Sequence, residues 1–295
     1  MTEVLGTRPA LITYDDPGRV LAAVEADGAV LLRRPGTMTL DGFVALSEAL
    51  IRPMVYHGTN MVERDPVAGD VRTTTVNKGR DEIPLHREAS YAPGAPDLLM
   101  FYCVTPADAG GQTTLCDGVQ LFAELPAAVR AFVSEVDLYW RWTAPPDRWK
   151  QTLQASTRSE ADVALERLRA GIRPWEMLDV RFDGDVLHGV FRTPCVIPTR
   201  SGASFCNSLM SWENRAKSVY YPRDLLHASL ADGSEFPRGT LAAIVEVSAR
   251  LTVDVGWEPG DTLVVDNGRY LHGRRAFTDP GRRILVRMGY LRGAR

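Results

Sequence analysis

The sequence predicts an α+β fold in which strands far apart in the chain close one sheet system. Short apolar runs broken by Gly, Pro and Asp fill residues 70–118, and strand patterns return after residue 262. Helical periodicity occupies the stretches before and between them. The regular alternation of strand and helix that marks a parallel sheet is missing. A jelly roll or related double sheet fits this order best, with another α+β arrangement as the alternative.

Val20, Leu21 and Val24 suggest a first helix, followed by a strand over Ala29–Leu32. Leu40, Phe43, Val44 and Ile51 then share one helical face, interrupted by Ser47, while Leu46 falls off it. Asp41 or Thr39 caps that helix. Residues Leu98–Val104 form a buried strand ended by Thr105-Pro106. Pro126 opens a helix with Val129, Phe132, Val133 and Val136 at i, i+3, i+4, i+7. A further helix runs from a Ser159 cap to Gly171, and another covers 240–250 with Leu241, Ile244, Val245 and Ser248 on one face. Strands follow at Thr262–Val265 and Ile284–Tyr290. Tyr139, Trp140, Trp142 and Trp149 make an aromatic stripe that is either ordinary core or a lid.

The 295 residues, 45% hydrophobic and 24% charged, supply enough apolar material for one large core, so residues 1–295 read as a single domain. A helical or lid insertion falls around 120–180. A net charge of −3 carries no electrostatic footprint for nucleic acid, and the basic tail with Arg292 and Arg295 reads as a solvated chain end. Four dispersed cysteines without a C-x-x-C pair argue against a disulfide framework or thiolate zinc site. The first residues lack an apolar h-region, and no run of about 18 apolar residues occurs, so a cytoplasmic enzyme without membrane contact is expected.

Chemistry concentrates in two segments. In Ile83-Pro84-Leu85-His86-Arg87-Glu88-Ala89, an extended backbone would send His86 and Glu88 to one face and Arg87 to the other. One imidazole and one carboxylate so placed can occupy neighbouring corners of a metal, and a second histidine would complete the two-His, one-carboxylate set of non-haem iron(II) oxygenases. An H-x-E tripeptide alone is a weak signal in a chain with five histidines. The other pieces are Gly110-Gly111-Gln112-Thr113, where paired glycines permit a tight turn, then His272, then an arginine 11 positions beyond it at Arg283.

In that order these motifs resemble the taurine dioxygenase-like family, which belongs with the clavaminate synthase-like iron/2-oxoglutarate oxygenases. The resemblance covers about residues 25–291. It implies a double-stranded β-helix, with His86, Glu88 and His272 holding Fe(II) and 2-oxoglutarate as cosubstrate. Glu rather than Asp stands at the carboxylate position, which argues for oxygen-derived oxidation over halogenation. It further implies that Arg283 receives the distal carboxylate of 2-oxoglutarate, for which a planar, permanently charged donor is suited, with Thr113 assisting. Arg287, two strand pairs along on the same face, becomes a substrate-binding candidate, though it could equally serve the cosubstrate. Asn77 and Asn207 match pocket positions more loosely. The implied reaction is hydroxylation of a small amino-acid-like or natural-product molecule, free or tethered to a carrier protein, with succinate and carbon dioxide as coproducts. Desaturation, epoxidation or ring formation would use the same residues. A zinc hydrolase would lack a reason for the Thr113 and arginine pair, and its usual H-E-x-x-H helix is missing. A binding module of the same fold without turnover is the non-enzymatic alternative, and the intact triad speaks against it.

Overall fold

The computed structural model describes residues 7–12, 16–33, 38–55, 64–213 and 226–293; His57 and Arg295 lie outside them. Helices and sheets are mixed. The largest sheet has its order set by strands Ala10–Ile12, Ala29–Leu32, Thr262–Asp266, Leu98–Thr105, Arg283–Leu291, Asp70–Thr75 and Pro66–Val67, with Ile51–Pro53 also paired to Arg283–Leu291. A second sheet runs Val253–Val255, Thr113–Asp117, Tyr270–Arg274 and Ile83–His86. Among these pairings only the one between Ala10–Ile12 and Ala29–Leu32 is parallel.

Strand alternation explains how the two sheets and the helices stack. Along Leu98–Thr105, Leu99, Phe101 and Cys103 pack with Leu115, Val253, Val255 and Tyr270 of the second sheet. Leu98, Met100 and Tyr102 point the other way, onto Val20 and Val24 of helix Pro17–Asp27 and Phe43, Leu46 and Leu50 of helix Leu40–Leu50. The outer side of the second sheet, through Cys116 and Leu271, meets helices Gly118–Glu124, Ala127–Glu135 and Arg238–Leu251 and a third sheet. That third sheet joins Met177–Asp183, Val186–Pro194, Asp137–Ala144 and Leu226–Ser229.

Several helix details differ from the sequence reading. Leu46 is buried with Phe43, Ser47 and Leu50, an i, i+3, i+4, i+7 arc. Ser47 does not interrupt it, because its hydroxyl donates to the Val44 carbonyl at 2.7 Å and can therefore be buried. Thr39 is the cap, accepting from the Gly42 amide. Helix Arg158–Gly171 starts at Thr157 rather than Ser159, where Thr157 and Glu160 form a reciprocal capping box. In helix Arg238–Leu251 the buried set is Leu241, Ile244, Val247, Ser248 and Leu251, and Val245 is exposed.

One charged cluster ties the first layers together. Arg287 is fully buried; it donates to Asp70 Oδ2 at 3.0 Å and Thr73 Oγ1 at 2.7 Å, and also to Glu48 of helix Leu40–Leu50. The two carboxylates keep some solvent contact, which softens the cost of losing their partner. Arg287→Ala should therefore destabilise the fold by about 3 kcal/mol, near the lower end for a broken buried pair. Chemical denaturation would read this, with metal uptake of the folded variant expected to match wild type.

Candidate metal centre

His86 ends strand Ile83–His86, and His272 sits in the middle of Tyr270–Arg274. The two residues are direct partners in the antiparallel ladder, so their side chains emerge on the same side, with ring centroids 4.2 Å apart. His86 Nδ1 lies 2.9 Å from the Pro84 carbonyl. A carbonyl can only accept, so Nδ1 carries the proton and Nε2 offers its lone pair. Glu88 is reached through a turn, not along the strand as an extended 84–88 segment would have it. Its Oε2 lies 3.7 Å from His86 Nε2 and 3.8 Å from His272 Nε2. Ligand atoms from all three residues fall within 4.8 Å of one another.

The turn is held from behind. Asn267, fully buried, accepts from the Glu88 amide at 2.9 Å and donates to the carbonyls of Glu88 and Pro96. Ala89, next in the chain, takes a positive φ of 54°, strained for a residue with a Cβ. Arg87 is turned into the protein, as expected, and donates to the Asn267 carbonyl. Burial opposes charge on Glu88. The Arg64 guanidinium, 3.0 Å away, and the two imidazoles outweigh burial and hold the carboxyl well below the usual range. Burial, then the neighbouring His86, push the His272 imidazole well below its ordinary value, so it is neutral at neutral pH. Two imidazoles and an ionised carboxylate on one wall of a cavity form a donor set suited to a divalent iron ion.

That cavity has a volume of ≈ 460 Å³. Besides the triad it is lined by Phe101, Thr113, Arg274, Val286 and Met288 from the sheets, by Arg282 just before a strand, and by Met210, Val245 and Ser248 from helices. Gly110 and Gly111 both have positive φ, and a Cβ on Gly110 would come within 2.2 Å of the Ala276 carbonyl oxygen. Their turn brings the Gly111 carbonyl to Arg282, which donates to it from Nε at 3.1 Å and Nη2 at 2.9 Å. Two residues later Thr113 enters the sheet, its hydroxyl accepting from Trp257 Nε1 at 3.2 Å. Arg282 and Arg274 both stack 5.0 Å from the Phe277 ring centroid. Burial and then Arg274 pull the Arg282 pKa down to about 10, which leaves it charged at neutral pH.

A family model described as "Taurine catabolism dioxygenase TauD, TfdA family" matches residues 6–288. The chain belongs to this family. It is accordingly an iron(II)- and 2-oxoglutarate-dependent dioxygenase. A clavaminate synthase-like protein of Arabidopsis thaliana is 25% identical over 277 residues, covering 88% of this chain and 80% of the relative. Tyrosine isonitrile desaturase of Pseudomonas aeruginosa is 27% identical over 269 residues, covering 88% and 78%. A taurine dioxygenase structure from Burkholderia xenovorans superimposes with a TM-score of 0.58 at 18% identity, over 99% of this chain and 89% of that one, a likeness of fold.

Within this TauD/TfdA dioxygenase, neither of the two arginines expected at the cavity lines it. Arg283 is exposed, and Arg287 belongs to the ion cluster under helix Leu40–Leu50. Ile284 and Val286 face the second sheet while Leu285 faces the helices, so the inward parity is even. Arg282, just before the strand, lines the cavity in place of Arg283, together with Arg64, Arg274 and Arg275. Counting 11 residues from His272 cannot detect this, since a shift of one residue exchanges the faces of a strand. Asn77 borders the cavity, but its side chain caps its own turn, accepting from the Gly79 amide at 2.7 Å. Asn207 is buried away from the cavity lining; it donates to the Cys195 carbonyl and accepts from the Leu209 amide, starting the short helix that carries Met210 and Ser211. Trp140 and Trp149 of the aromatic stripe are core, while Tyr139 and Trp142 are half-buried. Trp140 is fully buried against Trp212, Trp149 donates to the Asp185 carbonyl, and none of the four lines the cavity. Asn267, Arg64 and Arg282 escaped the sequence reading because no local spacing distinguishes them.

The close approach of the two histidine strands depends on Gly273, where a Cβ would come within 2.4 Å of the Ile83 carbonyl oxygen and 2.6 Å of Thr114 Oγ1. Gly273→Ala should push strand Ile83–His86 outward and lower iron(II) affinity by about 10- to 100-fold, the scale of outer-shell defects. Anaerobic calorimetric titration of the folded variant would measure it; unchanged affinity would mean the strands have slack.

Proposed function

We propose that His86, Glu88 and His272 hold iron(II), that Thr113 and Arg282 receive the distal carboxylate of 2-oxoglutarate, and that the remaining cavity takes a small amino-acid-like or natural-product molecule for hydroxylation. The observation that carries this reading is the convergence of two histidines from paired strands and one carboxylate on the wall of the ≈ 460 Å³ cavity. Two facing sheets, with His86 and His272 on paired strands of one, support a double-stranded β-helix of the family's kind. When bound, iron(II) and 2-oxoglutarate supply the oxidation of a substrate C–H bond by dioxygen, with release of succinate and carbon dioxide.

The protein's own part is binding, orientation and exclusion of water. The Nε2 atoms of the two imidazoles and Oε2 of Glu88 bear on one point, so metal uptake needs little rearrangement of the wall. Arg282 is fixed by the Gly111 carbonyl through Nε and Nη2, which leaves Nη1 without a protein partner among the described residues. Thr113 adds a hydroxyl donor on the same wall. Phe101, Val286 and Met288 give the cavity an apolar lining that strengthens these polar contacts. A desaturase among the relatives supports an amino-acid-derived substrate and makes loss of two hydrogens the main competitor to gain of one oxygen.

Candidate substrates should be screened for 2-oxoglutarate-dependent succinate release with mass detection of the product. Replacing His86, Glu88 or His272 by Ala should abolish turnover while circular dichroism remains native. Arg282→Ala should raise the KM for 2-oxoglutarate by about 10²- to 10³-fold, since it leaves a buried carboxylate without its cation. Arg282→Lys should recover only part of this, because planar two-point contact is lost. Arg283→Ala, on the exposed face, should stay within about twofold of wild type. The reverse result would return the cosubstrate to Arg283.

A further inference from the structure

The two oxygens of Glu88 have different neighbours. Oε2 faces the imidazole nitrogens of His86 and His272, whereas Oε1 accepts a hydrogen bond from Arg64 Nη2 at 3.0 Å. The ion pair is secluded, with side-chain exposures of 9% for Arg64 and 15% for Glu88, and both residues line the cavity. We propose that Arg64 is a positioning residue that divides the Glu88 carboxylate, leaving one oxygen for the metal and withholding the other. This rests on the triad reading above.

The physical need follows from the ligand type. A carboxylate can bind a metal through one oxygen or through both. Glu, one methylene longer than Asp, has an additional rotatable bond with which to swing its second oxygen inward. Two imidazoles and a two-oxygen carboxylate would fill four corners of an octahedral iron(II), and chelation by 2-oxoglutarate would fill the rest. No position would then remain for dioxygen. A guanidinium on Oε1 prevents this, because in a secluded site a charge-assisted hydrogen bond is not exchanged for water. The Glu88 backbone is fixed independently by Asn267, so Arg64 acts on the orientation of the carboxylate and not on the course of the chain.

Wild type, Arg64→Met, Arg64→Gln and Arg64→Lys would each be loaded anaerobically with iron(II) and 2-oxoglutarate, then exposed to nitric oxide as a stand-in for dioxygen. The iron-nitrosyl signal in electron paramagnetic resonance counts the centres with an open position, and iron uptake is measured separately. Arg64→Met should still bind iron(II) and 2-oxoglutarate, while its nitrosyl signal falls by about tenfold or more. Arg64→Gln, shorter and uncharged, should show the same fall and carries the test if the Met variant does not fold. Arg64→Lys should restore most of the signal, since an ammonium can still occupy Oε1. An undiminished nitrosyl signal in the Met or Gln variant would overturn the proposal. So would a folded variant that takes up no iron, because Arg64 would then be required to build the site rather than to divide the carboxylate. Failure of the wild type itself to bind iron(II) would instead count against the triad.

Discussion

Antiparallel pairing between Ile83–His86 and Tyr270–Arg274 sets His86 directly opposite His272, and the rest of the site is arranged about that pair. Cross-strand partners project to one side of a sheet, so two imidazoles from residues far apart in sequence meet without a helix or loop to carry them. Glycine at position 273 keeps the strands close. Asn267 closes the turn after His86 with hydrogen bonds to both the amide and the carbonyl of Glu88, bringing the carboxylate beneath the pair. A side chain buried at that depth has few conformations open to it, which is what a preorganised binding wall requires.

The neighbouring part of the cavity is built by a different device. The turn through Gly110 and Gly111 places a carbonyl where only a donor can satisfy it, and Arg282 supplies the donor. Thr113 follows at the start of its strand, so one short motif fixes both the arginine and the hydroxyl. Phe277 steadies two guanidinium groups at once by stacking against Arg274 and Arg282. Like charges there are separated by a ring and by carbonyl acceptors: Arg274 is anchored on the carbonyls of Asn77 and Asp81.

What could be read from the residues was whatever had a short sequence signature. The H-x-E tripeptide, the Gly-Gly turn and the apolar strands around Leu98 and Thr262 are local; the two strands lie where that reading put them, while Glu88 reaches His86 by a turn and not along an extended segment. The arginines were not legible, because facing depends on parity and parity depends on irregularities in the ladder. Arg283 pairs with Thr105 and Ile284 with Cys103, which leaves Val104 without an opposite residue. The approach of Arg64 to Glu88 is equally silent in sequence, since the two are 24 positions apart and joined only by the fold. Asn207 was misplaced and the choice between core and lid for the tryptophans stayed open for a related reason: composition marks such residues as capable of lining a pocket but does not say which side of a sheet they occupy.

The Arg287 cluster bears on how this scaffold can change. Sliding strand Arg283–Leu291 by one residue would drive a guanidinium into the apolar layer between the sheets and present Val286 to Glu48 and Asp70. The ion cluster thus works as a ratchet tooth, admitting a single setting of the strand. Insertions or deletions after His272 must then be absorbed by the segment 275–282, before the tooth engages. Such a change would alter which side chain arrives at the Gly111 carbonyl while leaving the strand itself unmoved. Tinkering with one short connection could in this way retune the grip on an anionic ligand without disturbing the sheet behind it.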